Sequence, residues 1–179
     1  YERAIESNPT LIDAYINLGN LYKELGKLDQ ALSFTLKSLE INANHPEAHM
    51  NLGSIYKELG DLDRALAFTL KALQICPDNP IILLNLSGIY KELGLLDLAL
   101  GTTRKLIVIE PDNADFHFRL GSIYQDLGNQ DQALFFTLKS LELDPTNYNT
   151  YFGLGIIYKD IGNLENACTL TLKSLELNT

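Results

Sequence analysis

Apolar positions along this chain recur at helical spacing, and the whole pattern then repeats every 34 residues. Ala14, Leu18, Leu21, Tyr22 and Leu25 follow one another at intervals that place them on one stripe of a helix. Gly26 ends that stripe, because glycine takes the left-handed stop conformation at little cost. A second stripe runs through Leu28, Ala31, Leu32, Thr35, Ser38 and Leu39. One block therefore predicts two helices joined by a tight turn. The block recurs without a slip: Tyr22, Tyr56, Tyr90, Tyr124 and Tyr158 are 34 residues apart, and the stop glycine returns at Gly60, Gly94, Gly128 and Gly162. A fixed period of this length means one unit stacked repeatedly, each unit touching mainly its neighbours.

The residues between the stripes agree with that reading. Asp29, Asp63, Asp97, Asp131 and Glu165 fall in the first turn of the second helices, where an acid meets the positive end of the helix dipole. Proline marks unit ends at Pro9, Pro77, Pro111 and Pro145. In His45-Pro46 and Asn79-Pro80 it takes a first helical position, with Asn79 as the cap. Small residues recur where paired helices must come close. They are Gly19, Gly53, Ser87, Gly121 and Gly155 on the first helix, and Ala31, Ala65, Ala99, Ala133 and Ala167 on the second. A larger side chain at either place forces the pair apart.

Leu-Gly, then Tyr, then Ala, then Pro at these relative places resembles the tetratricopeptide repeat family along the whole chain. The resemblance implies an all-α fold, a right-handed α-solenoid of antiparallel helix pairs. Five repeats are expected, at 12–45, 46–79, 80–113, 114–147 and 148–179, in a single array. Residues 1–11 read as the end of a preceding repeat, with Tyr1, Ala4 and Pro9 fitting a second helix. The chain opens in mid-pattern and closes at Thr179 without a polar capping helix, so it reads as cut from a longer solenoid.

Two departures from the family pattern matter. The family places an aromatic four residues after the second-helix Ala, but here that place is Thr35, Thr69, Thr103, Thr137 and Thr171. Phe34, Phe68 and Phe136 stand one residue earlier. Either each Phe fills the volume between paired helices, which is the preferred reading, or these Phe join Leu36, Leu70 and Leu138 in an exposed strip that favours lateral association. The third repeat is the least regular. It has Ser87 for Gly, Thr102 for Phe, Leu106 where others carry Ser or Ala, and Leu95-Leu96 in its turn. A distorted unit or a contact surface is expected there.

Composition excludes several functions. The chain has 179 residues, 46% hydrophobic and 21% charged, with a net charge of −9. Duplex nucleic acid is bound by a basic face, so nucleic acid is not an expected partner. No apolar run approaches the ~18 residues of a spanning helix, so no membrane partner is expected either. Cys76 and Cys168, in different repeats at unrelated places, form no repeated framework and read as small buried hydrophobes. Their scarcity points weakly to a cytoplasmic location. His45, His49 and His117 have neither metal-ligand spacing nor a triad arrangement. No metal, cofactor or catalytic residue is assigned, and the chain is not read as an enzyme. Asn85-Leu86-Ser87 is formally a glycosylation sequon, but inside a predicted helix it is discounted.

In the family the resemblance names, first helices line a concave groove that holds ligands. On the face opposite the buried stripe lie Asn17, Asn51, Asn85, Arg119 and Gly153, followed by Asn20, Ser54, Gly88, Ser122 and Ile156. Amide side chains donate and accept, so they can hold a peptide backbone without reading its sequence. The array at Asn17, Asn51 and Asn85 resembles the asparagine ladder of the O-GlcNAc transferase type of superhelix. The match fails at Arg119 and Gly153. Whether these amides hold a ligand or tie repeat to repeat stays open. The dicarboxylate clamp of chaperone-binding repeats is rejected, since Met50 and Asp115 stand where it needs cations. Ile16, Met50, Leu84, Phe118 and Phe152 form an apolar seam instead, with Phe118, Arg119 and Phe152 as a hot-spot cluster for a peptide. Both Phe have packing between neighbouring first helices as their other reading. Lys23, Lys57, Lys91 and Lys159 each precede an acid, which cannot face them on the same helix, so their partners are expected on neighbouring repeats.

The expected partner-binding residues are therefore Asn17, Asn20, Asn51, Asn85, Phe118, Arg119 and Phe152. The expected function is a protein-interaction scaffold holding a peptide in the groove of a tetratricopeptide superhelix. Two alternatives remain. One is a substrate-recruiting arm of a larger enzyme of glycosyltransferase or sulfotransferase type. The other is a structural unit that self-associates through uncapped ends.

Overall fold

The computed structural model describes residues 1, 5 and 7–178; Ala4, read above as part of an earlier helix, lies outside them. From Ile12 onward the described residues form ten helices and no strand. They are α1 (Ile12–Glu24), α2 (Leu28–Ile41), α3 (Pro46–Glu58), α4 (Leu62–Ile75) and α5 (Pro80–Glu92), then α6 (Leu96–Ile109), α7 (Ala114–Asp126), α8 (Gln130–Leu143), α9 (Tyr148–Asp160) and α10 (Leu164–Leu177). The chain divides into two compact units, Tyr1–Leu93 and Gly94–Thr179, and the division falls in the turn of the irregular third block. In the first unit α1 pairs with α2 and α3 with α4, and α2 leads onto α3 and α4 onto α5. In the second, α7 pairs with α8 and α9 with α10, and α6 abuts α7 as α8 abuts α9.

The punctuation follows the sequence. Gly26, Gly60, Gly94, Gly128 and Gly162 have φ between 69° and 83°, the left-handed stop that no other residue takes cheaply. Behind each glycine the next helix starts within two residues. Side-chain caps open several helices: Asn79 Oδ1 accepts from the N–H groups of Ile81 (2.9 Å) and Ile82 (3.3 Å). Asp61 Oδ1 accepts from Arg64 N–H at 3.0 Å, and the Arg64 guanidinium closes the other carboxylate oxygen at 2.6 Å. His45 makes no side-chain cap; Pro46 starts α3 by its fixed φ instead.

The paired helices meet at the Gly of the first and the Ala and Thr of the second. A β-carbon added at Gly19, Gly53 or Gly121 would overlap the hydroxyl of Thr35, Thr69 or Thr137, and at Gly155 it would come within 2.6 Å of Thr171 Oγ1. The same atom would stand 3.1–3.4 Å from the carbonyl oxygens of Ala31, Ala65, Ala133 and Ala167. The threonines are built into this contact. Thr35, Thr137 and Thr171 donate to the Ala31, Ala133 and Ala167 carbonyls at 2.7, 2.7 and 2.8 Å, which hides the polar hydroxyl inside the pair. Thr69 is equally buried, and its hydroxyl has no partner among the described residues.

The displaced aromatic has a definite place. Phe34, Phe68 and Phe136 stack on Tyr22, Tyr56 and Tyr124 with ring centroids 5.3, 5.4 and 5.5 Å apart and planes within 10°. Each therefore closes the volume between its helix pair, as the preferred reading holds. Only Leu36, Leu70 and Leu138 remain exposed.

Two members of the first stripe are placed differently from expectation: Leu21 is 44% exposed and Leu25 66%. Leu25 is the residue that terminates α1, beyond its last packed turn. Leu21 occupies the place of Ile55, Ile89, Ile123 and Ile157, which are 0%, 0%, 1% and 2% exposed and each have a first helix earlier in the chain. No such helix precedes α1 among the described residues. The buried face of α1 is Ala14, Tyr15, Ile16, Leu18 and Gly19. The cysteines also differ from expectation, since Cys76 is half-buried and Cys168 exposed.

The Tyr–Phe stack predicts a contrast within one turn of α4. Phe68→Ala removes a ring that closes the pair and is expected to cost about 2–4 kcal/mol. Leu70→Gln, two residues on and exposed, is expected to shift stability by less than about 0.5 kcal/mol. Urea denaturation of both variants checks this; equal effects would put the Phe on the outer strip.

Candidate functional site: the first-helix faces

The first helices of each unit turn one face away from their paired second helices. In the first unit this face belongs to α1, α3 and α5. Two of its cations are already engaged with the next first helix: Lys23 Nζ donates to Ser54 Oγ at 3.0 Å and lies 4.0 Å from Glu58, and Lys57 Nζ is 2.9 Å from Glu92. Lys57 reaches Glu92 across Gly88, whose missing β-carbon would stand 3.2 Å from the ammonium. In the second unit Gln125 replaces the lysine and donates to Asp160 at 3.0 Å. The partners thus come from neighbouring repeats, as the helical geometry required. Such half-exposed pairs are worth about 0–1 kcal/mol each, so they neutralise the surface more than they hold it together.

Against this neutralised band the amides stand out. Asn17, Asn20 and Asn85 are half-buried, whereas Asn51 is 5% exposed and its Nδ2 has no acceptor among the described residues. None of Asn17, Asn51 and Asn85 bonds through its side chain to another repeat among the described residues. A buried N–H without a partner costs about 1–3 kcal/mol, so Asn51 sits at a local deficit. The apolar seam is interrupted on this unit, because Ile16 is only 2% exposed and belongs to the core, while Met50 and Leu84 are half-buried.

The second unit presents a different chemistry on α7 and α9. Phe118 is half-buried, and a β-carbon at Gly153 would come within 2.7 Å of its Cε2, so its ring lies on the α9 backbone. Phe118 therefore packs between neighbouring first helices. Phe152 does not, being 51% exposed. Arg119 is exposed and has no ion pair among the described residues.

The histidines serve the framework. His49 and His117 are buried, stack on Phe68 and Phe136, and bond through Nε2 to the carbonyls of Ala43 (2.8 Å) and Pro111 (2.7 Å). A carbonyl only accepts, so Nε2 carries the proton. Each ring ties its helix to the loop that precedes it. This role was missed in the sequence, although both occupy the place of Tyr15 and Tyr151, which signals an aromatic core position. Among the described residues no group of His, Cys, Asp and Glu is arranged to hold a metal, and no helix is long and apolar enough to cross a membrane.

Tetratricopeptide repeat models match residues 46–79 and 114–147, and a further one matches 1–33 and 136–169. The chain belongs to the tetratricopeptide repeat family, and by that membership it is a protein-interaction scaffold. It is similar in structure to residues 41 to the end of MamA from Desulfovibrio magneticus RS-1, at 21% identity and a TM-score of 0.82, over 93% of this chain and 94% of that one. It is also similar to YrrB, described as a tetratricopeptide repeat protein with an unusual peptide-binding site, at 25% identity and a TM-score of 0.75, over 98% and 91%. A third similar structure is TTC0263, a thermophilic tetratricopeptide repeat protein of Thermus thermophilus, at 25% identity and 0.76, over 93% and 91%. No curated protein matches the chain in sequence.

The modest worth of the cross-repeat pairs is testable. Lys57→Met is expected to change the unfolding free energy by no more than about 1 kcal/mol, and raised salt should abolish the difference. A loss of several kcal/mol, insensitive to salt, would show that the pair is a structural tie.

Proposed function

We propose that this chain is a non-enzymatic scaffold that holds a peptide segment of a partner protein on its first-helix faces. Five repeats, at 12–45, 46–79, 80–113, 114–147 and 148–179, present those faces, and residues 1–11 close an earlier repeat. The observation that carries the reading is the set of amides without repeat-to-repeat bonds, of which Asn17, Asn20 and Asn85 are half-buried and so partly exposed to a ligand. A structural ladder needs those bonds. A peptide backbone laid beside Asn17, Asn20, Asn51 and Asn85 supplies acceptors and donors instead. On the second unit Arg119 and Phe152 act separately: Arg119 favours an acidic residue, and Phe152 with Phe118 offers an apolar anchor. No cofactor or metal takes part, and the net charge of −9 disfavours nucleic acid as a partner. The peptide-binding site named for YrrB supports the same class of ligand.

Panning a displayed random-peptide library on the protein, then titrating the enriched peptide by calorimetry, tests this. Asn51→Ala together with Asn85→Ala is expected to weaken binding by roughly 1–3 kcal/mol while helicity by circular dichroism stays unchanged. If affinity survives and the thermal midpoint falls, the amides serve the fold and the assignment is wrong.

A further inference from the structure

The solvent-facing side of α6 departs from that of the other second helices. Ala99, Thr102, Thr103 and Leu106 form its buried side. Opposite them run Leu98, Gly101, Lys105 and Val108, all exposed, with Leu98 at 51% and Val108 at 81%. These positions share one face of a helix. At the place of Leu98 the other second helices carry Gln30, Arg64, Gln132 and Asn166, and at the place of Val108 they carry Glu40, Gln74, Glu142 and Glu176. Large aliphatic side chains thus replace polar ones at both ends of a single exposed stripe, the mark of a surface that meets another protein.

The charges on this face are unmatched as well. Lys139 and Lys173 reach Glu142 and Glu176, three residues on, at 2.7 and 3.1 Å. Lys105 has Val108 there instead, and neither Lys105 nor Asp97 has an ion pair among the described residues. Eight residues separate these two, about 12 Å along the axis, so they cannot pair with each other. Gly101 lies midway between them. A β-carbon at Gly101 would meet nothing within 4 Å, and glycine weakens a helix interior. No close contact within the chain calls for a glycine at this place.

The stripe is its own complement when reversed. Leu98 and Val108 each stand five residues from Thr103, and Gly101 and Lys105 each stand two residues from it. We propose that this face of α6 is a self-association surface, on which two copies of the chain pair with their α6 helices antiparallel about a two-fold axis at Thr103. Leu98 of one copy then meets Val108 of the other. The stem of Lys105 lies in the space that Gly101 of the other copy leaves open, and its ammonium comes within one turn of that copy's unpaired Asp97. Each contact occurs twice, as an isologous interface requires. A helix of an unrelated protein needs no such symmetry in its receptor. The surface lies in mid-chain, apart from the first-helix faces and from whatever adjoins either end of the array. A contact of one helix on another is small, so the dimer is weak.

Sedimentation equilibrium of the full chain, carried to millimolar concentration, reads the association, and a monomer–dimer equilibrium is expected. Gly101→Gln fills the space for Lys105 and should weaken the dimer more than about tenfold, as disruption of an interface centre does. The same variant should raise the urea midpoint of the chain, because glutamine is the better helix former. Val108→Glu installs the residue found at Glu40, Glu142 and Glu176, gives Lys105 a carboxylate on its own helix, and should dissociate the dimer with the fold intact. Lys105→Glu should weaken the dimer about threefold, on the scale of part-exposed ion pairs, and adding Asp97→Lys should recover the loss. A chain that stays monomeric throughout, or a dimer indifferent to Gly101→Gln and Val108→Glu, overturns the proposal. A lowered urea midpoint for Gly101→Gln overturns it too, since the glycine would then serve the fold.

Discussion

Everything in this fold hangs on how closely two helices can approach within a repeat. In four of the five repeats the glycine of the first helix lies directly on a threonine hydroxyl and an alanine carbonyl of the second, with no room for one more carbon. That approach leaves a polar hydroxyl inside an apolar contact. The chain resolves the conflict by turning three of these hydroxyls back onto their own helix at 2.7–2.8 Å. With the small pair occupying the closest point, the bulk needed to fill the rest of the interface must come from elsewhere. Phe34, Phe68 and Phe136 supply it by stacking on the recurrent tyrosine. The glycine, threonine, tyrosine and phenylalanine are therefore one device, and its repetition spaces the helices along each unit.

Much of this was legible in the sequence because it is periodic. The five stop glycines, the acids of the second helices and the Asn79 cap are local devices with one physical solution each. The errors arose where burial depends on a neighbour and not on the repeat itself. Leu21 follows the helical stripe faithfully, yet whether it is buried depends on a first helix before it. Ile16 reads as a groove residue by spacing, yet it is buried at 2% exposure. His49 and His117 carry chemistry that suggests a site, and only their bonds to loop carbonyls reveal a structural role. The division between Leu93 and Gly94 coincides with the least regular block, where Thr102 stands in place of the stacking Phe.

The candidate surfaces differ in chemistry although the framework is shared. On the first unit, cross-repeat ion pairs cancel the lysines and leave amides as the groups with unused hydrogen-bonding capacity. On the second, glutamine replaces a lysine, and Arg119, Lys159 and Phe152 come to the surface, the two cations without an ion pair among the described residues. The amides can hold a backbone whatever its sequence, whereas the second set selects acidic and apolar side chains. A scaffold of identical units acquires distinct ligand preferences by changing only the residues that the close helix contact leaves free.

The close contact itself is measured most directly by a double-mutant cycle at Gly121 and Thr137, read by urea denaturation. Gly121→Ala places a carbon against Thr137 Oγ1 and 3.1 Å from the Ala133 carbonyl, and should cost about 1–3 kcal/mol. In the Thr137→Ala background the hydroxyl is gone, and the same glycine substitution should cost at least about 1 kcal/mol less. An equal cost in both backgrounds would mean that the glycine is not held against the threonine, and the account of how each repeat is built would fail.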